Sequence, residues 1–215
     1  MIPDWAAERK EMVERQLRKR GLRDERVLAA MGRIPREEFL PPEWRVMAYT
    51  DGPVPIGAGQ TISQPYMTAL MAESLELKGS ETVLEVGAGC GYAAAVLGAL
   101  AERVISIEII TSLAETARAN LRRLGLDGNI VTFCADGSAG LPECAPYDAI
   151  SVAAGAPEVP APLIAQLADP GVLVIPVGRY DDQDLLVIRK RGGQIDSRVA
   201  TACRFVPLRG GEGWR

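Results

Sequence analysis

The chain has 215 residues, 47% of them hydrophobic and 24% charged, which allows one compact domain with a sizeable core and excludes a disordered chain. A formal net charge of −4 and a pI near 5.1 argue against nucleic acid or an anionic membrane as partner, because phosphate binding needs a basic patch. There is no histidine, which removes imidazole-based nucleophilic schemes and histidine metal sites, and the four cysteines (Cys90, Cys134, Cys144, Cys203) lack zinc-type spacing, so no metal is expected.

In chain order, Trp5 to Arg20 reads as an amphipathic helix, and Asp24 can cap a second one running to about Met31. A proline-rich, loop-like stretch follows from Ile34 to Gln64. Pro65 suits the first turn of a helix that reaches about Leu77. Strands then alternate with helices: strand Thr82–Val86, helix Tyr92–Ala101, strand Arg103–Ile107, helix Ser112–Leu124 closed by Gly125, and strand Ile130–Cys134. Strand Asp148–Ala153, helix Pro160–Leu167 and strand Val172–Val177 continue the series, and Leu185–Lys190 and Ala202–Val206 read as late antiparallel strands. Such alternation predicts βαβ units and an α/β, doubly wound, mainly parallel sheet of seven strands. One domain is expected, with residues 1–78 supplying helices and an active-site loop and 79–215 a Rossmann-like core with C-terminal strands. No apolar run is long enough for a membrane span and none resembles a signal peptide, so a cytoplasmic monomer is the expectation.

The run Val83-Leu84-Glu85-Val86-Gly87-Ala88-Gly89-Cys90-Gly91-Tyr92 joins the first core strand to its helix. Glycines there let the backbone turn tightly and approach a ligand, at the carboxyl end of the sheet where open α/β folds bind. The G-x-G-x-G spacing departs from the dinucleotide pattern and resembles the first motif of Rossmann-like methyltransferases, which hold S-adenosylmethionine. Glu108, at the end of the second core strand and 21 positions after Gly87, can accept hydrogen bonds from ribose hydroxyls. Asp136-Gly137 follows the third strand, where this class places an acid near the adenine amino group. Each element has a bland reading: a ligand-free glycine turn, an exposed carboxylate, an ordinary Asp-Gly turn. Three in order favour an adenosyl site. NAD is the alternative cofactor, disfavoured by the spacing.

After the fourth core strand stands Ala153-Ala154-Gly155-Ala156-Pro157, a small uncharged pocket without the planar clamp a nucleobase needs. The segment Ile56-Gly57-Ala58-Gly59-Gln60-Thr61-Ile62-Ser63-Gln64-Pro65-Tyr66-Met67 closely resembles the signature of the protein-L-isoaspartate O-methyltransferases. The likeness extends through Arg33–Phe39, Ala48–Asp51, Ala145–Ile150 and the tail Cys203–Leu208 with Gly213-Trp214. It implies that Ser63 is the active-site serine and touches substrate. It implies further that Thr61, Ile62, Tyr66, Glu85, Gly87, Gly89, Gly91, Glu108, Asp136 and Gly137 hold S-adenosylmethionine, and that Ala154, Val206 and Pro207 help wall the substrate cleft. Ser63 alone also reads as a helix N-cap. Ala153, Ile109 and Leu141 depart from residues common in the family.

The implied acceptors are isoaspartyl proteins and peptides, whose α-carboxyl groups ionise at roughly pH 3–4, so no general base is required. Other readings are a small-acid methyltransferase, a relative that forms aspartimide in a biosynthetic peptide, and a non-catalytic protein that holds the cofactor as a sensor. Methylation assays on matched isoaspartyl and aspartyl peptides separate them.

Overall fold

The computed structural model describes residues 3–214 of the chain. Asp4 caps helix α1 (Trp5–Met12) by accepting the Ala7 N–H at 3.1 Å. The helix runs on through a π-helical turn (Val13–Leu17) and a 3-10 turn (Arg18–Arg20), and Gly21, with φ of 102°, ends it. Asp24 caps α2 (Glu25–Arg33) through the N–H groups of Arg26 and Val27. Both helices fall where the sequence predicts them.

The stretch 34–64, expected as loop, is more ordered than that. It holds two 3-10 turns (Arg36–Phe39, Pro42–Met47) and a hairpin of β1 (Val54–Gly57) with β2 (Gln60–Ile62). Ala58 and Gly59 form its two-residue tip with φ of 51° and 70°, the turn type that matches strand twist. Val54, Ile56 and Ile62 are buried, which fixes the register. Four- and three-residue strands are too short for periodicity to reveal.

Pro65 opens α3 (Pro65–Ser74) as expected. The core then runs β3 (Thr82–Val86), α4 (Tyr92–Gly98), β4 (Arg103–Glu108), α5 (Thr111–Arg123), β5 (Ile130–Cys134), β6 (Tyr147–Val152), α6 (Ala161–Gln166), β7 (Leu167–Arg179), β8 (Asp182–Arg191) and β9 (Gln194–Cys203). These strands form one seven-stranded sheet in the order β5-β4-β3-β6-β7-β8-β9, parallel from β5 to β7 and antiparallel beyond.

The last strand lies earlier than the expected Ala202–Val206. Residues 194–199 of β9 are exposed, so this edge strand carries no apolar alternation to read. Its start is set by Gly192-Gly193, whose φ angles of 59° and 75° close the hairpin with β8. Val206 lies past the strand, where its carbonyl accepts the Gly155 N–H at 2.8 Å.

Apolar side chains alternate across the sheet into two cores. Val83, Val104, Val174 and Val187 face the N-terminal helices, α3 and α4. Leu84, Val86, Ile105, Ile107, Ile150 and Val152 face Leu163 of α6 and Leu208 of the tail. Both faces being covered explains the near-continuous apolar strands. The N-terminal helices are fastened by polar contacts: Arg9 Nη2 meets Glu37 at 2.8 Å, the Tyr49 hydroxyl donates to Glu37, and Arg26 donates to the carbonyls of Leu77 (2.6 Å) and Leu100 (2.9 Å).

Candidate active site

Strand order reverses at β3, which pairs with β4 on one side and β6 on the other. Connections leave in opposite directions there, and a crevice opens beyond the carboxyl ends of the strands. Gly87 and Ala88 turn across it, donating to the Ile107 carbonyl at 2.8 and 3.1 Å. The cradle so formed, open to solvent, is lined by Gly87, Gly89, Ile107, Glu108, Ile109, Ile110 and Gly137 from the core, together with Ile56 and Thr61 from the hairpin. A Cβ on Gly89 would stand 3.1 Å from the Ile56 side chain, and one on Gly137 2.7 Å from Val86. A side chain at either position would fill or crowd this space.

Glu108 is the carboxylate of the cradle. It is buried, with one oxygen accepting the Gly89 N–H and the other the Ile110 N–H, both at 2.9 Å. Each carboxylate oxygen retains a lone pair for a further donor. A buried acceptor beside apolar Ile107, Ile109 and Ile110 offers a seat for vicinal hydroxyls and a flat wall for a base. The residues present therefore fit an adenosyl group.

Gly91, Glu85 and Asp136, assigned to this cradle from sequence, do not line it. Gly91 (φ 90°) packs against α5: a Cβ there would meet the backbone of Ala117 at 3.2 Å, so its smallness serves helix packing. Glu85 lies within β3, 1% exposed, accepting the Ser106 hydroxyl, and lines no part of the cradle. Its neighbours in the sheet are Ser106 and Ser151, and burial pushes its carboxyl up to about 7, with Glu108 adding like-charge repulsion. Asp136 turns toward the tail. Its Oδ1 accepts the Ser138 N–H (2.9 Å) and hydroxyl (2.6 Å), and its Oδ2 accepts the Gly211 N–H (2.8 Å). Desolvation opposes this charge, yet those hydrogen bonds hold the carboxyl below its ordinary value.

A second, wider cleft, open to solvent, adjoins the cradle. One wall carries Ser63, Gln64, Tyr66 and Met67, and the other the end of β9 with Arg204, Phe205, Val206 and Pro207. Tyr66, assigned to the cofactor from sequence, faces this cleft instead, with the Arg20 guanidinium 3.7 Å above its ring. Ala154 moves the other way: it lines the cradle. Ile62 is buried and lines a small pocket against the glycine turn together with Ser63. Thr61, Ala153, Val206 and Pro207 line cradle and cleft alike, so the two spaces share one wall. Ser63 is not a helix cap: α3 begins after Gln64 without a side-chain cap, and among the described residues the Ser63 hydroxyl enters no hydrogen bond.

The sequence reading missed Ile56, Ile110, Arg20 and Tyr180 as lining residues. Ile110 could have been found as the apolar pair Ile109-Ile110 after a strand-end acid; Arg20 and Tyr180 come from distant segments and carry no local signal. Among the described residues no group of acids and cysteines could hold a metal, and no helix is long and apolar enough to cross a membrane.

An open sheet reversing at β3, with a glycine turn there and a buried strand-end carboxylate on β4, defines the class: a Rossmann-like methyltransferase fold. The chain belongs to the protein-L-isoaspartate(D-aspartate) O-methyltransferase family, whose model matches residues 7–213. The protein-L-isoaspartate O-methyltransferase of Methanoculleus marisnigri is 51% identical over 208 residues, covering 97% of this chain and 94% of that one. The Rhodopseudomonas palustris protein of that name is 53% identical over 206 residues, covering 95% and 94%. Among solved structures, a protein-L-isoaspartate O-methyltransferase superposes with TM-score 0.81 at 32% identity, over 95% of this chain and 66% of that one. A Plasmodium falciparum relative solved with S-adenosyl-L-homocysteine gives TM-score 0.79 at 29% identity, over 94% and 98%.

Proposed function

We propose that this protein transfers a methyl group from S-adenosylmethionine to the α-carboxylate of L-isoaspartyl residues in damaged proteins and peptides, the step that starts their repair. The observation that carries the reading is the shared wall: Thr61, Ala153, Val206 and Pro207 border both the cradle and the cleft. The family's name and the S-adenosyl-L-homocysteine bound by the Plasmodium falciparum relative support the same chemistry.

In this reading Gly87, Gly89 and Gly137 let the backbone approach the cofactor, Glu108 accepts from the ribose hydroxyls, and Ile109 and Ile110 flank the base. The cofactor, when bound, supplies an electrophilic methyl on a sulfonium. Ser63 donates its free hydroxyl to the acceptor carboxylate and orients one oxygen toward the shared wall. That carboxylate is already anionic at neutral pH, so no residue has to remove a proton, in keeping with a chain without histidine. Val206 and Pro207 exclude water from the junction. Orientation and desolvation then supply most of the rate.

The test is methyl transfer to two synthetic peptides identical except for isoaspartate or aspartate at one position. Labelling of the isoaspartyl peptide alone supports the reading; labelling of both or of neither rejects it.

A further inference from the structure

Arg36 is fully buried, and no carboxylate meets it. Its Nε donates to the Ala48 carbonyl at 2.7 Å and its Nη2 to the Ser63 carbonyl at 2.8 Å, while Nη1 is buried without a partner. The groups that face it are the Tyr92 ring, with the guanidinium 5.0 Å from its centroid, the Tyr49 ring and the Cys90 thiol. All three are neutral at pH 7, since burial pushes Cys90 up to about 11, Tyr92 up to about 12 and Tyr49 upward as well. The adjacent acid, Glu37, is taken by Arg9 and Tyr49. A guanidinium stays protonated in proteins, so a whole positive charge lies uncompensated directly behind Ser63. Buried charges are normally paired, because leaving water without a counter-charge is strongly unfavourable. Two carbonyl contacts alone could be made by a neutral amide.

We propose that Arg36 is a positioning residue for the acceptor: it holds the Thr61–Ser63 segment through the Ser63 carbonyl, and its unpaired charge makes that segment select an anionic group at the Ser63 hydroxyl. The counter-charge missing from the protein is then the acceptor's own carboxylate. This rests on the methyl-transfer reading above and adds to it a source for the preference for a carboxylate over its neutral isostere.

The experiment compares two peptides on the full-length enzyme saturated with S-adenosyl-L-homocysteine, so that no turnover occurs. One carries an isoaspartyl α-carboxylate and the other the corresponding α-carboxamide; calorimetry gives both dissociation constants. The parent enzyme is expected to favour the carboxylate about tenfold. Arg36→Met, which keeps bulk but no charge, should bring that ratio close to one, and Arg36→Lys should keep most of it. A purely structural role would weaken both peptides together and leave the ratio intact in Arg36→Met, overturning the proposal. A parent ratio near one also overturns it, whether or not the variants fold. Failure of the underlying reading is recognised separately, as absence of methyl transfer to the isoaspartyl peptide in the turnover assay.

Discussion

The cradle and the cleft are built in opposite ways. The cradle comes from successive strand-to-helix connections, with Gly87 and Gly89 after β3, Glu108 at the end of β4 and Gly137 after β5, each positioned by the strand just before it. The cleft comes from segments far apart in sequence: Ser63 and Tyr66 on one wall, Arg204 to Pro207 on the other. What holds the second wall in place is tertiary. Gly155 accepts the Leu208 N–H and donates to the Val206 carbonyl, both at 2.8 Å, and the buried Gln183 accepts the Phe205 N–H at 2.8 Å. In the proposed reading, binding of the cofactor is thus entrusted to local geometry, and choice of acceptor to long-range packing.

If the two regions are separable, variants should move one observable each. Ser63→Ala should lower turnover of isoaspartyl peptide about a hundredfold, the scale on which misplacing a reacting group costs rate. Titration calorimetry should find its cofactor affinity little altered; unchanged turnover would remove Ser63 from the chemistry. Glu108→Ala should do the converse: two backbone N–H groups lose their acceptor, and with them the ribose hydroxyls of the proposed reading, so cofactor binding should weaken by about 1–3 kcal/mol. Equal affinity in calorimetry would mean that the ribose is held otherwise.

Glu85 sharpens the comparison from the protein side, since it tests stability and neither site. Its folded carboxyl titrates near 7, above the ordinary value of 4.5. Between those values the folded state binds the proton and the unfolded state does not, so stability falls as pH rises through that window. Glu85→Gln should therefore gain about 1–2 kcal/mol over the parent at pH 8 and lose most of that advantage by pH 5, read by urea unfolding. A pH-independent difference would show that the group is not protonated in the fold. The smallest effect concerns the hairpin tip. Ala58 holds φ of 51°, where glycine has no steric penalty, so Ala58→Gly should stabilise by about 0.5–1 kcal/mol. A lower thermal midpoint would contradict the strain.

The pair Glu85 and Glu108 shows how far the sequence could be read. Both precede or follow glycines in the right motif, and both were natural cofactor candidates. Strand position separates them: Glu108 is the last residue of β4 and reaches the crevice, whereas Glu85 lies inside β3 with its side chain against Ser106. Asp136 makes a similar point, because its donors Ser138 and Gly211 include a residue 75 positions away. The three glycines divide likewise, two lining the cradle and Gly91 serving the contact with α5.

By itself the sequence determined the alternation of strands and helices, the glycine turn and strand-end acid of the cradle, and the absence of any imidazole base, since these depend on local periodicity, chain turns and residue chemistry. Only the tertiary structure decided which acids face the cradle and which face protein. It also decided that an exposed polar strand closes the sheet edge, and that Arg36 brings an unpaired charge behind Ser63. Those outcomes depend on which distant surfaces come together and on what water is excluded between them.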